Sequence, residues 1–469
     1  MFSRFILSIA FFSCSVFASY EEASKIYGHG SISLSGYRRT IMELVQDGYY
    51  YSTLPWMKDY LVKVDGPLDN SAEESFDKMI YATGIRPFET LPESVLKRSK
   101  AGNIRYILAK RLFKNGKLNE ALNELERIEP SHSVYPFSSN MKGAVYASLK
   151  NSKASESSYR ECIRSSDEQI SESNSFLEKK QLMINRDYCL VGIARSQFGS
   201  TDYKKAELIY LDVSKDSFVW PEILFEEAWT SYYLKNYNRT LGKLITYKAP
   251  MFDFVFKPEV EVLKALTYLQ MCLYDDAKKT VDNFYDELLN PSRNLRQFLT
   301  GHGKDYKFYY HLMADYEDNK KSELAIVDHI LNSIRKDAAY LEMKGALTSS
   351  LAEYNQLRKR GPSTMRSNLL KNIKVTMDEY RTLIGAYVRA SFVSKYGELY
   401  SAFQGMSYIK LEVLAQRKER LYQSPQEEGK KRGDVKYIER NDKQYFWNFN
   451  GEFWADELGD YVFALRSEC

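Results

Sequence analysis

The 469-residue sequence predicts a mainly α fold: a solenoid of helical hairpins, then a long coiled-coil-like arm, then a small antiparallel β meander at the C-terminus. Three observations lead there. Segments between 103 and 285 share one spacing of small and large apolar residues. Residues 363–423 place apolar side chains at alternating steps of three and four. The ending "QYFWNFNGEFWADELGDYVFALRSEC" switches to alternating aromatics around Asn450-Gly451.

Apolar residues make up 44% of the chain and charged residues 27%, which fits a folded protein. Net charge is +4, from 66 basic and 62 acidic residues, a balance that argues against a broad nucleic-acid footprint. Residues 1–18 read as a signal peptide. Arg4 precedes the apolar run "FILSIAFFSCSVFA", and Val16 and Ala18 supply the small residues before a cut at Ser19. The expected address is therefore exported: periplasmic, or associated with the outer envelope, with no transmembrane anchor in the mature chain. An alternative treats "FFSC" as a degraded lipobox with Cys14 lipidated; Phe11 and Phe12 fit that pattern poorly.

Residues 19–102 read as helical, with breaks at "DGP" (65–67) and "GIRP" (84–87). The repeat array follows, over 103–285. Ala109, Leu112, Ala121, Leu125 and Ile128 recur 34 residues later as Gly143, Tyr146, Ser155, Tyr159 and Cys162. Ala194, Ala206 and Tyr210 recur 34 later as Ala228, Thr240 and Leu244. A fifth copy holds Ala265, Tyr268, Ala277, Val281 and Phe284 at the same internal spacing. Small residues let the two helices of a hairpin approach; large ones fill the gap to the next hairpin. Pro221 and Pro258 open helices at a position proline tolerates. An insertion after Cys162 lengthens the second helix of copy two and the first helix of copy three. Cys162 and Cys189 then face each other at its base, and a disulfide is expected between them.

This spacing resembles the tetratricopeptide repeat (TPR) family, which implies partner binding through a concave groove lined by the first helix of each hairpin. Transferred residue by residue, the groove holds Tyr106, Lys110 and Phe113 in copy one. It holds Arg195 and Phe198 in copy three, and Phe225, Trp229, Tyr232 and Tyr233 in copy four. Rings can anchor an extended peptide, and the cations can hold a carboxylate.

Residues 286–423 form the expected arm, with helices over 321–360 and 363–423 parted by Gly361-Pro362. A polar linker covers 424–434, and an aromatic β tail covers 435–469. A two-residue turn at Asn450-Gly451 places Trp447 opposite Trp454, and these two rings are expected to dock the tail. The ending is also similar to the C-termini of exported TPR proteins of gliding and predatory bacteria, including one linked to adventurous gliding motility.

No recognisable catalytic signature occurs. The five histidines lack zinc-like partners at ligand spacing, "GHGK" (301–304) is not a phosphate loop, and no nucleophile elbow or dinucleotide fingerprint is present. The expectation is a non-enzymatic scaffold or adaptor without cofactor or metal, whose partners are other envelope proteins or peptides. Two alternatives stand beside it: a structural lipoprotein of an outer-membrane or motility complex, and an adaptor-bearing peptidoglycan-acting enzyme.

Overall fold

The computed structural model describes residues 10–28, 33–421 and 440–469, with backbone alone for 10–18 and 418–421. Residues 1–9 of the expected signal peptide, the Cys14 side chain, the linker 424–434 and the expected strand 435–439 lie outside what is described.

The helices run in chain order as α1 (Ala10–Tyr27), α2 (Leu34–Gln46), α3 (Tyr50–Lys63), α4 (Asn70–Thr83), α5 (Glu93–Leu96), α6 (Gly102–Lys114), α7 (Leu118–Glu126) and α8 (Tyr135–Ser148). There follow α9 (Ser152–Glu172), α10 (Phe176–Gly199), α11 (Tyr203–Tyr210), α12 (Trp220–Tyr233), α13 (Tyr237–Ile245) and α14 (Glu259–Gln270). Then come α15 (Tyr274–His302), α16 (Tyr306–Glu317), α17 (Ala325–Arg335), α18 (Ala338–Arg358) and the long α19 (Thr364–Leu421). Among the described residues two short strands occur, β1 (Trp447–Asn448) and β2 (Tyr461–Val462). Side chains of Asp69, Ser175, Asp202 and Asp305 cap the starts of α4, α10, α11 and α16, accepting from otherwise unpaired backbone N–H groups.

The chain divides into two compact units. Unit 1 takes 1–149 and 338–386; unit 2 takes 150–337 and 387–469. The boundary at Leu149/Lys150 falls in the turn of the second repeat, so its two helices belong to different units.

The small residues of the repeats do what their spacing implies. Ala109 and Ala121 in unit 1, and Ala194, Ala206, Ala228, Ala265 and Ala277 in unit 2, are all 0% exposed. The departures Ser155 and Thr240 are fully buried as well. In unit 2 the hairpins α10/α11, α12/α13 and α14/α15 stack in succession, α11 meeting α12 and α13 meeting α14. Each first helix ends in the same way. Gly116, Thr201, Lys235 and Cys272 have φ between 57° and 74°. The next N–H reaches back five residues, from Lys117 to Leu112 O, Asp202 to Gln197 O, Asn236 to Ser231 O and Leu273 to Tyr268 O, each at 2.9–3.0 Å. This is a Schellman closure with a left-handed residue at the turn.

Asn319 (φ 62°) and Lys320 N–H to Asp315 O at 2.9 Å repeat that closure between α16 and α17. A further hairpin therefore lies inside the region expected to be arm. The expected helix over 321–360 is two helices, α17 and α18, broken at Lys336-Asp337. The reason is burial: α17 buries Val327, Ile330 and Leu331 in unit 2, whereas α18 buries Tyr340, Met343 and Leu357 in unit 1.

The helix α19 keeps the three-and-four spacing and is packed rather than free. In unit 1 it buries Met365, Leu369, Ile373 and Tyr380; in unit 2 it buries Phe392, Leu399, Met406 and Val413. Within unit 2 the Phe403 ring meets Phe284 and Tyr285 of α15 at 4.9 and 5.4 Å. In unit 1, Glu353 of α18 is buried at the start of α3, accepting from Tyr51 N–H (2.9 Å), Ser52 N–H (2.8 Å) and Ser52 Oγ (2.5 Å).

The C-terminal tail departs from the expected antiparallel meander. The strands β1 and β2 pair in parallel, Trp447 with Tyr461 and Asn448 with Val462. The chain bends at Gly451 (φ 105°), but no hydrogen-bonded hairpin turn closes there and the two flanks do not pair with each other. Anchoring on unit 2 decides the outcome. Tyr461, Val462 and Leu458 are 1–2% exposed. Asn238 of α13 accepts from Phe463 N–H through its carbonyl (3.1 Å) and from Leu465 N–H through its side chain (2.9 Å). Gly459 N–H donates to Thr246 Oγ1 at 3.0 Å. The strand passes so close to Gly242 of α13 that a Cβ there would lie 1.6 Å from the Tyr461 carbonyl oxygen. Trp447 and Trp454, the expected docking rings, are 43% and 57% exposed. They stay out of the contact because the local hairpin that would have paired them yields to the burial of 458–462. The last residue, Cys469, is bonded to Cys272, and Cys162 is bonded to Cys189 at the base of the α9/α10 extension.

Candidate functional site

The first helices of copies three and four bring an aromatic row together in unit 2. Phe225 meets Trp229 at 6.3 Å, Trp229 meets Tyr232 at 5.5 Å and Tyr233 at 5.8 Å, and Tyr233 meets Phe198 at 5.5 Å. The row follows from sequence because Phe225, Trp229, Tyr232 and Tyr233 lie on one side of α12 at helical spacing. Tyr203 and Tyr237, on the second helices, extend it: Tyr203 stacks on Tyr233 at 4.9 Å and Tyr237 meets Tyr232 at 5.6 Å. Sequence reasoning missed both, since it looked only at first helices.

Trp229, Tyr232, Phe225 and Phe198 are half-buried, and Tyr233 is 47% exposed. Trp229 and Tyr232 spend part of their surface on the core formed with Leu263 and Val260 of α14. Burial raises the Tyr232 hydroxyl to about 12, so it is a neutral donor at any physiological pH.

The cation is not free. Arg195 binds Glu226 at 2.5 Å and Glu222 at 3.2 Å. The Glu226 hydrogen bond holds its guanidinium protonated even more firmly than usual. Glu226 also accepts from Tyr210 at 2.7 Å, and Glu222 from Tyr188 at 3.2 Å. The expected carboxylate-holding role of Arg195 is thus corrected: two carboxylates of this chain already occupy it. A second cation, Lys257, stands 4.6 Å over the Phe225 ring.

The copy-one residues belong to unit 1. Lys110 pairs with Glu89 at 2.6 Å, and Phe113 packs on the unit 1 core. The Tyr106 hydroxyl is pushed up to about 12 by burial and by the Glu89 and Glu342 carboxylates. Segment 303–316, which could have covered the row, is engaged with other rings: Phe308 lies 3.6 Å from His302, and Tyr309 meets Phe298 and Phe392 at 6.2 Å.

Among the described residues no cluster of His, Cys, Asp and Glu is placed to hold a metal ion, and no helix is long and apolar enough to cross a membrane.

Stacked hairpins with buried alanines and repeated left-handed turns define a helical-repeat protein. No family model matches the chain, and no curated protein matches it. Among solved structures, the apo form of RapI aligns over 62% of this chain and 99% of its own, at 13% identity and a TM-score of 0.32.

Proposed function

We propose that the chain is a degenerate TPR protein, exported to the cell envelope, where it serves as a non-enzymatic scaffold or adaptor for other envelope proteins. The observation that carries this reading is the aromatic row Phe198–Tyr233–Trp229–Phe225, part-exposed along the first helices of two successive hairpins. Rings held rigidly by their neighbours give contact area with little entropy to lose, the usual basis of an interaction hot spot. With Arg195 already shared by Glu222 and Glu226, the rings carry the recognition, which favours a peptide that brings apolar side chains over one led by a carboxylate.

The test compares the full chain with a Phe198→Ala, Tyr233→Ala double variant, chosen because Trp229 carries more of the α14 packing. Affinity capture from cross-linked envelopes, read by mass spectrometry, should lose its partners in the variant while helical circular dichroism is retained. Retention of every partner would remove the row from the function. An N-terminus at Ser19 in protein recovered from cells supports export; an intact Met1 in the mature cellular protein would overturn it.

A further inference from the structure

The tail leaves a second concavity in unit 2, away from the aromatic row. It measures about 400 Å³ and lies between the third and fourth repeats and the segment that carries β1. That is within the range of small-ligand sites. Its wall includes Trp220, Tyr445 and Trp447. Trp220 is 7% exposed and belongs to the core, but Tyr445 and Trp447 are 68% and 43% exposed. Tyr445 therefore contributes little to holding the tail down, and Trp447 keeps nearly half of its surface open. Two aromatic rings that line a hollow and keep much of their surface open offer a platform for a flat apolar face.

The polar lining is equally specific. Lys243 and Glu227 pair at 2.5 Å and are almost fully buried; Lys215 pairs with Asp460 at 2.6 Å; Lys443 pairs with Asp212. Each cation is matched by a carboxylate, so the hollow offers fixed ammonium donors and fixed carboxylate acceptors, and the exposed Asp456 carboxylate adds one more acceptor that would repel an anion. An ionic ligand would leave one side of these pairs uncompensated. A purely apolar one would strip water from the charges without replacing its hydrogen bonds. A ligand carrying hydroxyls that both donate and accept, on a ring with an apolar C–H face, satisfies both features.

We infer that this cavity, walled by Trp447 and Tyr445 and lined by the Lys215–Asp460 and Lys243–Glu227 pairs, binds a neutral saccharide. The site uses residues other than those of the aromatic row, so its failure leaves the scaffold reading untouched, and the reverse holds.

The experiment is a tryptophan-fluorescence and calorimetric titration of the full chain with neutral oligosaccharides. The probes are chitotriose, cellotriose and maltotriose, with sialyllactose as a charged control. At least one neutral trisaccharide should give saturable binding, with a dissociation constant of about 1 mM or tighter. Trp447→Ala and Tyr445→Ala should each weaken it about tenfold, and Trp447→Phe should restore most of it. The β1 backbone bond from Trp447 N–H to Asp460 O does not need the ring, so these variants keep the tail in place, checked by an unchanged melting curve. No saturable binding by any neutral probe overturns the inference. So does binding that survives Trp447→Ala and Tyr445→Ala, or binding of the charged control alone.

Discussion

Gly242→Ala puts the docking of the tail to a direct test. The added Cβ would sit 1.6 Å from the Tyr461 carbonyl oxygen and 2.3 Å from its carbon. Both are backbone atoms, so no rotamer change relieves the clash. Either α13 shifts within its hairpin or the tail lifts. Lifting uncovers Leu458, Tyr461 and Val462, now 1–2% exposed. At about 1.5–3 kcal/mol for each fully buried side chain, complete release forfeits roughly 5–9 kcal/mol, an upper estimate. The Cys272–Cys469 bond keeps the end of the chain tethered, so partial displacement is expected, at about 2–4 kcal/mol. The assay is urea unfolding followed by circular dichroism, with limited proteolysis under non-reducing conditions to read the tail separately. Gly345→Ala is the control: its Cβ would meet nothing within 4 Å, and alanine in a helix interior should be neutral or stabilising by up to about 1 kcal/mol. If Gly242→Ala unfolds at the wild-type midpoint with its tail as resistant as before, the close approach is wrong and the docking account falls with it.

Two further perturbations address other parts of the fold. Lys235 holds a left-handed conformation (φ 62°) that glycine adopts freely, so Lys235→Gly should stabilise the chain by about 0.5–1 kcal/mol in urea unfolding; a clear loss would contradict the Schellman closure. Glu353 is raised to about 7 by burial, against the lowering effect of its bonds from Ser52 and Tyr51. Its folded value lies above the unfolded one, so the stability it contributes is fully present below about pH 4.5 and is lost as pH rises through about 7. The wild-type stability curve should therefore fall relative to that of Glu353→Gln across that window, by roughly 3 kcal/mol at most, measured by urea unfolding at stepped pH. Parallel curves would show that Glu353 does not titrate there.

The repeats were legible because each small residue has one steric task that tolerates few substitutes. Ala194 and Ala228 mark hairpin contacts whatever surrounds them, and Ser155 and Thr240 still fit. The hairpin α16/α17 was not legible: "YKFYYHLMADYE" lacks the small-then-large spacing, and only its Asn319 closure belongs to the pattern. The aromatic row was readable from one helix at a time; its neutralised Arg195 was not, because Glu222 and Glu226 lie some 30 positions away. The tail failed for a related reason. Asn450-Gly451 is a strong local signal and does bend the chain, but β1 chose its partner by what Leu458 and Tyr461 bury in the core of unit 2, a non-local choice. The Cys272–Cys469 pairing, across 197 residues, gave no sequence-local sign at all.

The division into two interrupted units bears on how the chain acquires its structure in time. Unit 1 is closed by 338–386 and unit 2 by 387–469. Glu353 reaches Tyr51 and Ser52 over separations of 302 and 301 residues. A chain emerging from its N-terminus thus presents α1 to α8 long before α18 exists to cover the apolar side of α3. The entropy of closing such long loops grows only slowly with length, so the finished molecule loses little by this wiring. Its folding rate is another matter: non-local closure is slow, and tyrosine-rich surface around Tyr49 and Tyr51 stays uncovered until the second half arrives. A truncation after residue 337 would leave neither unit able to close.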